Sequence, residues 1–322
     1  MSTPVDTVRA ATAPTPEAPA APATEPLVLP PFPGRAFHAR RTLRAYAELV
    51  RAPAAITVPG DVLAGALAAG RGAGARTLGL AGSSVCLYWA GMALNDWADR
   101  ELDAVERPER PCPRAASAPG RPRHRRRADR GRLGIATLAG GPRTALRRTL
   151  PLAAAVWSYD LGAKNTPFGP AVMAAARALD VLHGTGPGPA RPALVPAAAV
   201  AAHTLGLTRL SRHEVDGAPP REAALTLAAS AVAAAGTVRR TTGPAQAAAL
   251  ALYAGSHVPA LVAMLRGPAA APEVRKAVGA GIHALLPLQA ALAVRGGAPR
   301  VAVPLAAALP LVRRLARKVS ST

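Results

Sequence analysis

Residues 94–111 read LNDWADRELDAVERPERP, and three of their side chains can do chemistry together. Asp96, Asp99 and Asp103 are spaced three and then four apart, so on a helix their carboxylates share one face, with Asn95 beside them. Carboxylates crowded in this way repel one another unless a cation sits among them. Magnesium takes oxygen ligands and commonly joins one or two carboxylates to substrate phosphates. The order Asn-Asp-x-x-Asp-x-x-x-Asp directly follows an apolar stretch, and an acid cluster at the mouth of a membrane helix is a functional-site hypothesis by default.

The elements that must position this cluster are helices. Half of the 322 residues are apolar, 18% are charged and only 3% are aromatic, so the apolar mass is Ala, Leu and Val. Alanine and leucine favour helix, whereas strands draw on Ile, Val, Thr and aromatics. Apolar blocks recur at 45–69, 77–97, 149–163, 167–186, 192–210, 221–237, 244–265 and 275–294. Several are short of the roughly 20 residues that cross a bilayer. Interior prolines such as Pro59 and Pro196 are better tolerated in membrane helices than in soluble ones. The expected class is all-α, a multi-span transmembrane helical bundle. Residues 1–36, rich in Pro, Ala and Thr, read as a disordered tail with no secretory signal. The bundle takes 37–298. Residues 299–322 form an apolar-then-basic tail, read as a partial span or a surface helix.

The acidic stretch resembles the first aspartate-rich motif of the UbiA superfamily of integral membrane prenyltransferases, NDxxDxxxD followed by a basic, Pro-containing loop. Arg51 and Pro53 in LVRAPAAITVPGDVLAG look like the start of that family's first helix. The segment WSYDLGAKNTPFGPAVMAAARALDVLHG looks like its fourth-to-fifth helix junction. The resemblance implies eight or nine spans, a site opening to the cytoplasm across the plasma membrane, and transfer of a prenyl group from its diphosphate to an acceptor, which is not identified. By the same resemblance Asp96, Asp99 and Asp103 are the catalytic, Mg2+-binding residues. Asn95 and Lys164 contact the diphosphate, and Arg51 and Arg177 join them by position. The alternative is a UbiA-like protein without catalysis, which binds or moves a prenylated or lipid metabolite.

Two stretches depart from the family pattern. The second acidic motif, DxxxD, should follow the sixth helix, where the chain reads TRLSRHEVDGAPPRE. Glu214 and Asp216 are two apart and do not share a helical face; Glu214 is retained as a metal ligand. The third span should lie near 120–145, but residues 112–134 are rich in arginine, and each charge near a span centre costs about 2.5–3.5 kcal/mol. The third span is therefore expected to be degenerate. With it missing, every later helix faces the opposite way and Lys164 ends far from Asp96. The abrupt shift to Arg, Pro, Ala and Gly after Cys112 is what a GC-rich coding sequence gives when a short stretch is read in a shifted frame.

The formal charge of +21, from 39 Lys and Arg against 18 acids, invites a nucleic-acid reading. The basic residues lie between apolar blocks rather than along one soluble face, which is the pattern of membrane loops, with the lipid bilayer as partner and no nucleic acid. Cys86 and Cys112 make neither a zinc site nor a disulfide framework. The histidines show no ligand spacing; His257 and His283 read as core residues, and His213, beside Glu214, as the one near chemistry.

Overall fold

Proline opens most helices of this protein and glycine closes several. The structure, a computed structural model, describes residues 57–98, 141–238 and 243–320. All of these belong to one of the two units into which the chain divides, Thr42–Thr322. In chain order the helices are α1 (Val58–Ala68), α2 (Ala75–Ala98), α3 (Leu150–Leu161), α4 (Gly169–Gly184), α5 (Leu194–Ser211), α6 (Pro220–Ala235), α7 (Pro244–Ala263), α8 (Ala271–Arg295) and α9 (Pro299–Ser320). Proline stands in the first turn of α1, α3, α4, α6, α7 and α8, where its missing N–H has no helical partner to lose. Among the described residues the only β contact is one antiparallel bridge, Ala218 to Ala269. The all-α class read from composition is what the fold has.

Among the described residues three helices are long and apolar enough to cross a membrane, Arg191–Ser211, Pro244–Arg266 and Ala271–Arg295. Large apolar side chains face outward on several helices, for example Val232 of α6 at 60% exposure and Leu311 of α9 at 57%. Exposure of that kind suits a solvent of lipid chains.

Side-chain contacts fix the directions of neighbouring helices. Ser83 of α2 and Thr149 both hydrogen-bond His183 of α4, at 3.0 and 3.4 Å. Leu87 clusters with Leu152 and Val156, and Gly91 lies against Val156 and Asp160. Numbers rise together along α2 and α3, so the two helices are parallel. This corrects the expectation that later helices are inverted: Ala98 and Gly162 leave the bundle at the same end. The chain between Ala98 and Pro142 therefore joins opposite ends, about 33 Å apart at 1.5 Å per residue. The expected loop at 112–134 and the tail at 1–36 lie outside the described residues.

Other differences have plain causes. The helical path into α3 begins at Pro142, not 149, and passes through a π-turn at Ala145–Thr149. Proline opens it, and Arg143 and Arg147 stay exposed rather than entering the core. The prolines interior to helices are Pro259, Pro287, Pro304 and Pro310. Pro59 and Pro196 instead stand within the first three residues of α1 and α5. The tail after 299 is a full helix of 22 residues, α9, antiparallel to α8. Leu309 and Val312 pack on Leu286, and Ala302 packs on the Ala290–Ala293 stretch, while Pro304 and Pro310 face outward.

Helices α1 and α4 approach closely. A Cβ on Gly65 would fall on the carbonyl of Val181, and one on Gly184 would fall on that of Val62. Small residues at such a crossing let backbones meet, which matters where lipid gives no hydrophobic drive for helix association.

Candidate active site

Helix α2 runs unbroken through Asn95 and Asp96 to Ala98, so the first two motif residues stand in its last turn. Asp99, Asp103 and Arg51 lie outside the described residues. Because α3 is parallel to α2, the turn after α3 comes to the same end, and Lys164 sits in it on a single 3-10 turn, Ala163–Asn165. Helix α4 leaves from this end and α5 returns to it, which brings the Arg212–Pro219 loop alongside. There Arg212 donates from Nη1 to the Thr166 carbonyl at 2.6 Å, tying the Glu214 loop to the Lys164 loop.

The Glu214 loop is held from a second side. Arg275 donates to the Glu214 carbonyl at 2.8 Å, and Ala218 and Ala269 exchange backbone hydrogen bonds of 3.0 and 2.9 Å. Gly217 turns the chain into that bridge with φ of 85°, and a Cβ there would also strike the Ala269 carbonyl. At the root of the loop Arg209 grips Glu222 with two hydrogen bonds, 2.8 and 3.1 Å, joining α5 to α6. Asp96, Lys164 and Glu214 are thus carried by elements that converge on one end of the bundle. His213 lies in the same loop, half-buried.

Arg177 lies elsewhere. It is eight residues into α4, about 12 Å from that end by helical rise, and buried. Its Nε is 2.8 Å from Asp61 Oδ2, and the N–H is not directed along that line, so the contact is an ion pair rather than an aligned hydrogen bond. Its guanidinium also reaches the Thr57 carbonyl at 3.5 Å and lies 5.9 Å over the Tyr88 ring. Gln289 of α8 donates to Asp61 Oδ1 at 2.7 Å and to the Thr57 carbonyl at 2.6 Å. Asp180, one turn along α4, accepts from Ser84 through one oxygen; the other has no hydrogen-bond partner among the described residues. Two carboxylates and one guanidinium therefore share the core beneath the Asp96 end, and they pin α1, α2, α4 and α8 together.

The sequence reading missed Asp61, Asp180, Gln289 and Tyr88. A signal existed: single ionisable residues inside apolar spans are expensive and usually paired. A second polar centre lies among α5, α6, α7 and α8. His203 donates from Nε2 to the Gly281 carbonyl (3.0 Å), which leaves Nδ1 to accept from the Tyr253 hydroxyl (2.8 Å). His257 donates to the Tyr253 carbonyl (2.9 Å) and accepts from Ser230 (2.9 Å). These groups satisfy one another and act as core, as read for His257.

Among the described residues no group of three His, Cys, Asp or Glu side chains gathers to hold a metal ion.

No protein-family model matches the chain. The digeranylgeranylglyceryl phosphate synthase of Natronomonas pharaonis is 36% identical over 78 residues, which are 24% of this chain and 28% of that relative. The chain thus matches little more than a quarter of that relative's length. A solved structure of a digeranylgeranylglyceryl phosphate synthase in membranes aligns over 80% of this chain and 99% of its own, with a TM-score of 0.57 at 14% identity. At that identity the likeness is one of fold.

Proposed function

We propose, from the premise that this chain belongs to the UbiA superfamily of integral membrane prenyltransferases, that it transfers a prenyl group from a prenyl diphosphate to an acceptor in a reaction requiring Mg2+. The observation that carries the reading is the convergence of the Asp96 helix end with the Lys164 and Glu214 loops, tied by Arg212 at 2.6 Å. Asn95, Asp96, Asp99 and Asp103 are an all-oxygen donor set, which is what Mg2+ takes beside substrate phosphates. The unbroken run of α2 through Asp96, at an end where the neighbouring loops carry Lys164 and Arg212, fits a cation and its diphosphate.

Asp96, Asp99 and Asp103 would hold Mg2+, which when bound would supply charge stabilisation to the leaving diphosphate. Lys164 and Arg51 hold the phosphate oxygens, and Glu214 is a further ligand from the neighbouring loop. The prenyl tail lies among the apolar helices, away from water. The acceptor attacks the freed allylic carbon and gives up a proton, and pyrophosphate leaves. Arg177, buried against Asp61, acts on the site through the helices it holds together rather than by touching phosphate. The Asp96 end faces the cytoplasm, where a soluble diphosphate is made available.

Pyrophosphate release by the detergent-purified protein tests the reading. Geranylgeranyl diphosphate is the first donor to supply, because the relative's name carries that group twice. Release should require Mg2+ and fall at least a hundredfold in Asp99→Asn, on the scale of several kcal/mol of charge stabilisation. Unchanged turnover in that variant would sink the mechanism. A folded protein that binds prenyl diphosphates yet releases no pyrophosphate with any acceptor would be the non-catalytic binder instead.

A further inference from the structure

The end of the bundle away from Asp96 has a different chemistry. Among the described residues α2, α3, α5, α7 and α9 enter from it, and all but α7 carry arginine in or just before the opening turn: Arg76, Arg143 and Arg147, Arg191, and Arg300. All five are exposed. Among the described residues no Asp or Glu lies at this end. Asp61 and Asp180 are buried in the core, and Asp160, Glu214, Asp216, Glu222 and Glu273 belong to the Asp96 end. Among the described residues these arginines therefore have no carboxylate beside them, and several helix N-termini add further positive partial charge.

Within four residues of each arginine stands an outward-facing large apolar side chain. Leu78 follows Arg76, Leu146 and Leu150 flank Arg147, Leu194 follows Arg191, and Val303 follows Arg300; Leu146 and Val303 are each 67% exposed. Guanidiniums beside outward leucine and valine are the profile of a membrane interface. The stems lie on apolar surface and the charged heads stay at headgroup depth. A soluble anion would satisfy the charges and leave the leucines bare. A lipid covers both.

We infer that this end is a collar for anionic phospholipid, with the guanidiniums on headgroup phosphates and the adjacent apolar side chains among the acyl chains. The arginines sit on separate helices rather than around one point, so the collar takes several lipids and not a single phosphate. This inference is independent of the prenyltransferase reading, because it concerns the opposite end and is tested without turnover.

The test reconstitutes the full chain in equimolar phosphatidylglycerol and phosphatidylcholine, extracts it in mild detergent, and counts the retained lipids by native mass spectrometry. Phosphatidylglycerol should be enriched. Substituting Arg76→Gln, Arg147→Gln and Arg191→Gln together should weaken that retention by about fivefold per arginine, the factor matching roughly 1 kcal/mol per basic side chain at an anionic surface. The matching triple at the other end, Arg221→Gln, Arg266→Gln and Arg314→Gln, should keep the enrichment. Lysine at the first three positions should also keep most of it, which guards against misfolding of the glutamine triple; the single glutamine variants serve the same purpose. Equal retention of both lipids, equal loss in both glutamine triples, or displacement of the lipid by millimolar inorganic phosphate would each overturn the collar.

Discussion

Removing the Arg177 guanidinium should destabilise the bundle more than it impairs binding at the site mouth. In Arg177→Met, Asp61 loses its 2.8 Å cation and Asp180 loses a nearby guanidinium, while both carboxylates stay fully buried. Gln289 still donates to Asp61 Oδ1, but an amide does not neutralise a charge. Breaking a buried ion pair from one side costs about 3–5 kcal/mol, because the orphaned charge stays out of water. At about 2–4 °C per kcal/mol for large domains, the midpoint of thermal unfolding should fall by roughly 6–20 °C. Removing both partners, as Asp61→Asn with Arg177→Met, should recover much of that loss, since replacing a buried pair by neutral groups of similar size is often close to neutral. Size-exclusion chromatography after heating, in one detergent for all variants, reads this directly. A single variant as stable as the parent, or a double variant no better than the single, would refute the reasoning. It would also return Arg177 to the diphosphate, where the sequence reading had put it.

Three further outcomes follow from the geometry. Lys164→Gln should raise the KM for the prenyl diphosphate about tenfold, the scale of one charge-assisted hydrogen bond, with little change in melting temperature; steady-state pyrophosphate release measures it. Arg212→Ala removes the 2.6 Å tie between the Lys164 and Glu214 loops, so hydrogen exchange should quicken in both 162–168 and 212–219 while the helices keep their protection. Gly184→Val puts side-chain atoms where the Val62 carbonyl now sits, and the α1–α4 crossing must open, so a loss of at least 2 kcal/mol is expected in thermal unfolding.

Helix positions were legible because the signals are local. Proline marks the starts of α4, α6 and α8, and apolar runs of Ala and Leu mark their length, so predicted and observed bounds agree closely for α4 to α8. The first acidic motif was equally legible, since its spacing is a property of one helix. Relations between helices were not. Gln289 and Asp61 stand 228 residues apart, and nothing in either neighbourhood names the other. The direction of α3 was misread for a related reason. Hydropathy gave no span within 112–134, whereas direction is fixed by Ser83, His183 and Thr149 meeting across three helices. The α9 helix was underestimated because its prolines and terminal arginines mask a seam of Ala302, Leu309 and Val312 that only packing reveals.

The ion pair in the core also sets an order of events during synthesis. Asp61 leaves the ribosome 228 residues before Gln289, a wait of roughly 10–45 s at 5–20 residues per second. Through that interval α1 carries a carboxylate that its final partners do not yet cover. A nascent chain halted between α1 and α4 would hold Asp61 without the Arg177 guanidinium that pairs with it in the finished core. Completion of α4 and then α8 is what turns α1 from a reluctant segment into a settled one.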